Sequence, residues 1–164
     1  MTKRRIATYV FVLAAFLIVL AVLQTAGVKY FKISPQFTLA AVCAIGFIFG
    51  EKAGAISGVF AGIVIDCLGF SGLSYSAPLY LFCGYMCGKL VGWFLSYNLP
   101  SYIVYISLSG IVSSFFTFAY YLMFYDNYFS IVKSILIPNY ISLLICAVPI
   151  YYAVKWIYRK CRKL

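Results

Sequence analysis

Histidine is absent from this chain, and acids nearly so: Glu51, Asp66 and Asp126 are the only three among 164 residues. Without an imidazole there is no base for a histidine-dependent triad and no ordinary zinc site. Three acids in three different segments build no carboxylate cage for a cation, and a paired-carboxylate hydrolase would need two of them together. The chain is therefore read as non-enzymatic, with no catalytic residue, no cofactor and no metal. Charge of either sign is also scarce. Charged residues make up 10% of the chain and apolar ones 65%, whereas soluble domains average about 25% and about 45–50%. So few charges cannot cover a water-facing surface, and the composition is that of an integral membrane protein.

What charge there is carries one sign. The net charge is +10, but the cations gather at the two chain ends, beside apolar segments. Membrane orientation explains that placement, and no basic helix with interleaved aromatics points to nucleic acid.

A spanning helix needs roughly 20 apolar residues, because about 30 Å of hydrocarbon is crossed at about 1.5 Å per residue. Cutting the charge-free runs by that length predicts six helices, about 6–26, 35–50, 53–69, 77–96, 101–124 and 134–157, in one polytopic domain. The long run Leu90–Tyr125 is divided at Tyr97-Asn98-Leu99-Pro100, a turn signature. The second and third helices are short, joined by Glu51-Lys52; a re-entrant hairpin in a four- or five-span protein is the structural alternative. The first segment has the basic start of a signal peptide, Lys3-Arg4-Arg5. Its apolar run is too long and lacks a clean cleavage site, so it is read as a retained span.

Six spans with the N-terminus inside put Lys3, Arg4, Arg5, Lys52, Lys89, Lys155, Arg159, Lys160, Arg162 and Lys163 on the cytoplasmic side. Lys29, Lys32 and Lys133 fall outside. That is a strong positive-inside bias, and an even span count places both basic ends together. Tyr9, Tyr30, Tyr75, Tyr97, Tyr102, Tyr125, Tyr128 and Trp156 fall near expected helix ends, where amphipathic rings favour the interface. Tyr85, Tyr105 and Tyr120 lie deeper, and helix-to-helix hydrogen bonds are the expected partners of their hydroxyls.

The most informative stretch is a glycine ladder. Gly46, Gly50, Gly54, Gly58 and Gly62 recur every four residues, and Asp66 continues the count. The Glu51-Lys52 turn is expected to divide the ladder between two helices. Residues four apart share one helix face. Small residues there let two helices approach in a solvent where burying leucine supplies no force. Gly54, Gly58 and Gly62 therefore mark a face packed on another helix, as do Gly84 and Gly88; whether that helix belongs to this chain or to a partner is left open. Asp66 is costly inside an apolar segment. About 21 Å from Lys52 along the helix, it belongs to the outer third, too far from Lys89 for a direct pair. Its expected contacts are water, the amides of the 69–76 loop or a partner protein. A lone acid makes no proton relay. Of the six cysteines, Cys43, Cys67, Cys83, Cys87 and Cys146 fall within spans, where a thiol packs as a small apolar group.

The segment Lys52-Ala53-Gly54-Ala55-Ile56-Ser57-Gly58-Val59-Phe60-Ala61-Gly62-Ile63-Val64-Ile65-Asp66, the turn Gly69-Phe70-Ser71-Gly72-Leu73 and the following helix with Gly84 and Gly88 together resemble the rod shape-determining MreD family of bacteria. Length, span count, basic cytoplasmic ends and the late Pro138 are similar too. The resemblance implies a fold like the substrate-binding subunits of energy-coupling-factor transporters. It also implies a scaffold subunit of the cell-elongation machinery in the plasma membrane. Such a subunit binds the bitopic protein MreC and works with MreB filaments, a RodA-type polymerase and its transpeptidase in lateral peptidoglycan synthesis. The residues it carries over are Gly54, Gly58, Gly62, Asp66 and Gly72, as packing and shape elements. A homodimer through a small-residue face stays open.

Two rival readings are weaker. A vitamin-capturing transporter subunit has the same size and span count. The Ala-x-x-x-Ala that such subunits carry in their first helix is missing here, where Ala7, Ala14, Ala15, Ala21 and Ala26 include no pair four apart. A lipid-modifying enzyme would have only Asp66 with Ser71, Ser74 and Ser76 to work with.

Overall fold

The computed structural model describes residues 3–31, 36–68, 76–94, 98–122 and 136–163. Among them all regular structure is helical: α1 (Lys3–Phe31), α2 (Phe37–Phe49), α3 (Glu51–Leu68), α4 (Ser76–Phe94), α5 (Leu99–Leu122) and α6 (Ile137–Lys163). Each expected helix has a counterpart, with shifted ends. The first runs on to Phe31, since nothing before Pro35 breaks it. The last continues through the basic tail to Lys163, where cations favour a helix C-terminus. Pro100 falls inside the first turn of α5 instead of ahead of it, and α6 begins three residues later than expected, with Pro138 in its first turn; a missing N–H costs nothing at either place.

The link between α2 and α3 also corrects the expectation. Glu51 and Lys52 are not a turn but the first residues of α3, and the break is Gly50 alone, at φ 93°. Only glycine adopts that conformation without strain. The Gly50 N–H closes α2 on the Gly46 carbonyl at 3.0 Å, and its own carbonyl opens α3 by accepting from Gly54 N–H at 3.0 Å. Glu51 then sits in the first turn of α3, where a negative charge suits the helix dipole.

α2 is the axis of the bundle. Every residue from Thr38 to Phe47 is buried, and the helix packs against α1, α3, α4, α5 and α6. A helix apolar on all sides can be surrounded by lipid or by other helices; here other helices surround it. At 13 residues it is about 20 Å long, shorter than a full crossing. Gln24 of α1 meets Thr38 at the start of α2, and Phe49 meets Tyr158 of α6 at its end. The N-terminus of α1, the Gly50 turn and the C-terminus of α6 therefore share one end of the bundle.

Outside this core the helices present apolar walls: Phe11 is 76% exposed, Ile56 72%, Phe115 67% and Ile145 68%. Among the described residues Leu99–Ala119 and Ile137–Lys160 are long and apolar enough to cross a membrane; Phe11–Gly27 and Phe37–Phe49 are apolar but shorter.

Candidate functional site

The glycine ladder folds into a seam. α3 and α4 run antiparallel with backbones touching along their length. A β-carbon added at Gly58 would lie 2.6 Å from the Tyr80 carbonyl carbon, and one at Gly62 would lie 2.6 Å from the Ala77 nitrogen. Gly84 faces the Gly54 backbone, and Gly88 faces Glu51 and Gly50. Gly46 of α2 joins at the middle, where its β-carbon would fall 2.5 Å from the Gly84 carbonyl oxygen. Three helices thus meet at Gly46, Gly54 and Gly84, mainly backbone against backbone, with the Val42 side chain beside Gly84. At such separations dispersion contacts between backbones replace the side-chain packing that lipid makes worthless. The stripe on α3 faces α4 of the same chain. Gly72 lies outside the described residues.

Asp66, half-buried, ends the seam. Its carboxylate accepts from the Ala77 N–H at 3.4 Å, a long bond to the first turn of α4, where backbone donors are otherwise unpaired. Lys89 lies twelve residues further along α4, about 18 Å away by helix rise, with its ammonium 5.5 Å from the Tyr85 ring centre.

A second set of residues escapes a reading of the sequence. Gln24, buried in α1, accepts from the Thr38 N–H at 3.1 Å and the Thr38 hydroxyl at 2.8 Å. Ser113 of α5 donates to the Gln36 amide oxygen at 3.2 Å. The unpaired first turn of α2 is thereby fastened to α1 and α5 inside the bundle. A lone Gln in an apolar run was the available signal, since such a group needs a partner.

Aromatic rings fill the rest of the centre. Tyr102, expected at an interface, is fully buried instead. It stacks on Tyr151 at 4.9 Å between centroids, and its hydroxyl donates to the Ala40 carbonyl at 3.0 Å. Its place three residues into α5 suggests an interface, but α2 offers a carbonyl within reach and the rings of Phe47 and Tyr151 cover it. Tyr105 donates to the Leu90 carbonyl at 3.0 Å, a helix-to-helix bond from α5 to α4. Trp156, 60% exposed, lies under the Lys160 ammonium at 4.5 Å near the end of α6. Tyr75, Tyr97, Tyr125 and Tyr128 lie outside the described residues. Among those described, every buried side-chain nitrogen and oxygen has a hydrogen-bond partner.

Three thiols lie where α2, α4 and α5 meet. Cys43 is beside Cys87, Cys83 is one turn away, and the Cys87 sulfur is 3.4 Å from the Ser109 hydroxyl. Among the described residues no three His, Cys, Asp or Glu side chains converge as metal ligands would. Cys83, Cys87, Tyr105 and Ser109 also form the inner wall of a half-enclosed cavity of about 190 Å³ between α4 and α5. A wider, shallower hollow of about 280 Å³ lies between α5 and α6, against Ile111, Ile137 and Tyr140.

No protein-family model matches the chain, and the comparisons with curated proteins and with solved structures give no match.

Proposed function

We propose that the chain is a six-span membrane protein with both termini on the cytoplasmic side, and that it acts as a non-enzymatic scaffold of the MreD type in bacterial lateral wall synthesis. Its partner on this reading is a bitopic MreC-type protein, whose single helix docks within the bilayer. Wall synthases and cytoskeletal filaments of the elongation machinery would associate through the same assembly.

The observation that carries the reading is the way the Gly-x-x-x-Asp segment is used. Its glycines are taken up by the backbone seam with α4, and its aspartate is tied to the first turn of that helix. On this reading the segment serves as a shaping element, the role the resemblance gives it. The outward residues of the same helix, Ile56, Phe60 and Ile63, are apolar and exposed, as suits a lipid surface or a docked helix. Cations support the orientation: Lys52 starts α3 beside the Gly50 turn, and Lys155, Arg159 and Lys160 end α6 at the same pole.

The test is purification of the tagged full-length chain from its own membranes in gentle detergent, followed by mass spectrometry of what accompanies it. A bitopic coiled-coil protein of the MreC type, with or without wall synthases, is the expected result. Recovery of a paired ATPase module or a bound small solute would replace the scaffold with a transporter subunit.

A further inference from the structure

The cavity between α4 and α5 is a slot with a direction. On α4 it extends from Phe82 to Leu90, and on α5 from Tyr105 to Val112. Those spans are about 12 Å and about 10 Å by helix rise, so the slot runs along the helix axes. Its floor is made by Cys83, Cys87 and Ser109, with the Cys87 sulfur 3.4 Å from the Ser109 hydroxyl. The two helices are pinned at one end of the slot by the Tyr105–Leu90 hydrogen bond. Its rims are Phe82, 47% exposed, and Leu108, 52% exposed, so the slot opens sideways, toward the surface that faces lipid if the chain spans a membrane. An apolar cavity of ~150 Å³ already holds a benzene-sized molecule; this one, at about 190 Å³, is larger and elongated.

A cation stands at one end. Phe82, Met86 and Lys89 follow one another at spacings of four and three, on one face of α4. Lys89 is exposed and continues the rim at the end of the bundle that carries Gly50.

We infer that the α4–α5 slot holds one acyl chain of an anionic phospholipid, with the headgroup phosphate at Lys89. The inference rests on the membrane-spanning part of the reading above and is independent of the scaffold role. Its physical basis is shape and charge together. An extended chain lying parallel to the helices fills a groove that would otherwise leave apolar walls without contacts. The ammonium at its cytoplasmic end selects a negative headgroup.

The test uses the full chain, delipidated in detergent, titrated with phosphatidylglycerol or with phosphatidylcholine of the same chains and read by native mass spectrometry. The expected result is one retained phosphatidylglycerol, bound severalfold more tightly than phosphatidylcholine. Val112→Phe, which fills the slot, should weaken both lipids at least tenfold. Lys89→Gln should bring phosphatidylglycerol down to the phosphatidylcholine level, and Lys160→Gln, outside the slot, should change neither. Met86→Phe fills the slot from the opposite wall and replaces Val112→Phe if that variant does not fold. Equal retention in wild-type and slot-filled proteins overturns the assignment, as does an equal loss in Lys89→Gln and Lys160→Gln. Recovery of the native chain in the aqueous fraction without detergent would instead defeat the membrane reading itself.

Discussion

The two halves of this bundle are held by opposite means. Along α3 and α4, with Gly46 of α2, the contacts at the glycines are mainly backbone on backbone, with the Val42 side chain reaching in at Gly84. Around α5 and α6, side chains carry the contact: Tyr102 on Tyr151, Tyr105 on the Leu90 carbonyl, and Leu143 and Tyr140 over Gly110. The glycine seam leaves no room for a side chain, while among the described residues hollows of about 190 Å³ and about 280 Å³ flank α5, against α4 and α6. A seam of glycines is rigid because its neighbours are main chain, which cannot change rotamer. A side-chain interface can repack, and cavities persist in it at low cost. The tight half suits a fixed shape, and the loose half suits a ligand.

The substitution most able to break this comparison is Gly58→Leu. Its side chain would enter the Tyr80 backbone, so a loss at or above about 3 kcal/mol is expected. Folded protein measured by size-exclusion chromatography in detergent, together with recovery of a partner, should fall sharply. Unchanged level and recovery would mean that this face does not touch α4.

The sharpest comparison makes one change in each half. Gly84→Ala puts its methyl against the Gly54 backbone and 2.8 Å from the Val42 Cγ1; a cost of about 1–3 kcal/mol follows. Gly110→Ala meets only the far end of Leu143, at 2.6 Å, and the Tyr140 ring, at 3.0 Å. Those groups can move, so its cost stays under about 1 kcal/mol. Thermal unfolding in detergent reads both, and equal losses would erase the difference between the halves.

Within the side-chain half, Tyr102→Phe removes one buried hydrogen bond and keeps the ring. The expected loss is about 1 kcal/mol, seen as a modest fall in the same melting temperature. A loss as large as that of Gly58→Leu would show that the hydroxyl, and not the ring stack, organises the centre. Asp66→Asn should have the smallest effect. An amide oxygen still accepts from Ala77, and only the charge at the start of α4 is lost, about 0.5 kcal/mol. Thermal unfolding checks this too, and a larger loss would give the carboxylate a task beyond capping.

Much of this architecture was legible along the chain, for reasons that are local. The start of α5 was marked by Asn98-Leu99-Pro100, and the break after α2 was seen but placed at Glu51-Lys52, one residue past the glycine at φ 93° that makes it. Cations at the chain ends and a four-residue glycine period need no knowledge of the fold to be seen. The existence of the helices, the apolar class of the chain and the presence of a close-packing face on α3 are properties of composition and spacing, and the sequence by itself determined them. Three matters belonged to the tertiary structure alone. It chose α4 as the partner of the glycine face, since spacing marks a face but not what lies opposite. It set α2 at the centre, because a helix apolar on every side gives no sign of how many neighbours surround it. It turned Tyr102 inward and paired Gln24 with Thr38. The physical reason is common to all three. Where nearly every helix is apolar all round, hydropathy no longer separates inside from outside, and only the closeness of particular backbones and the pairing of scarce polar groups decide which side is in.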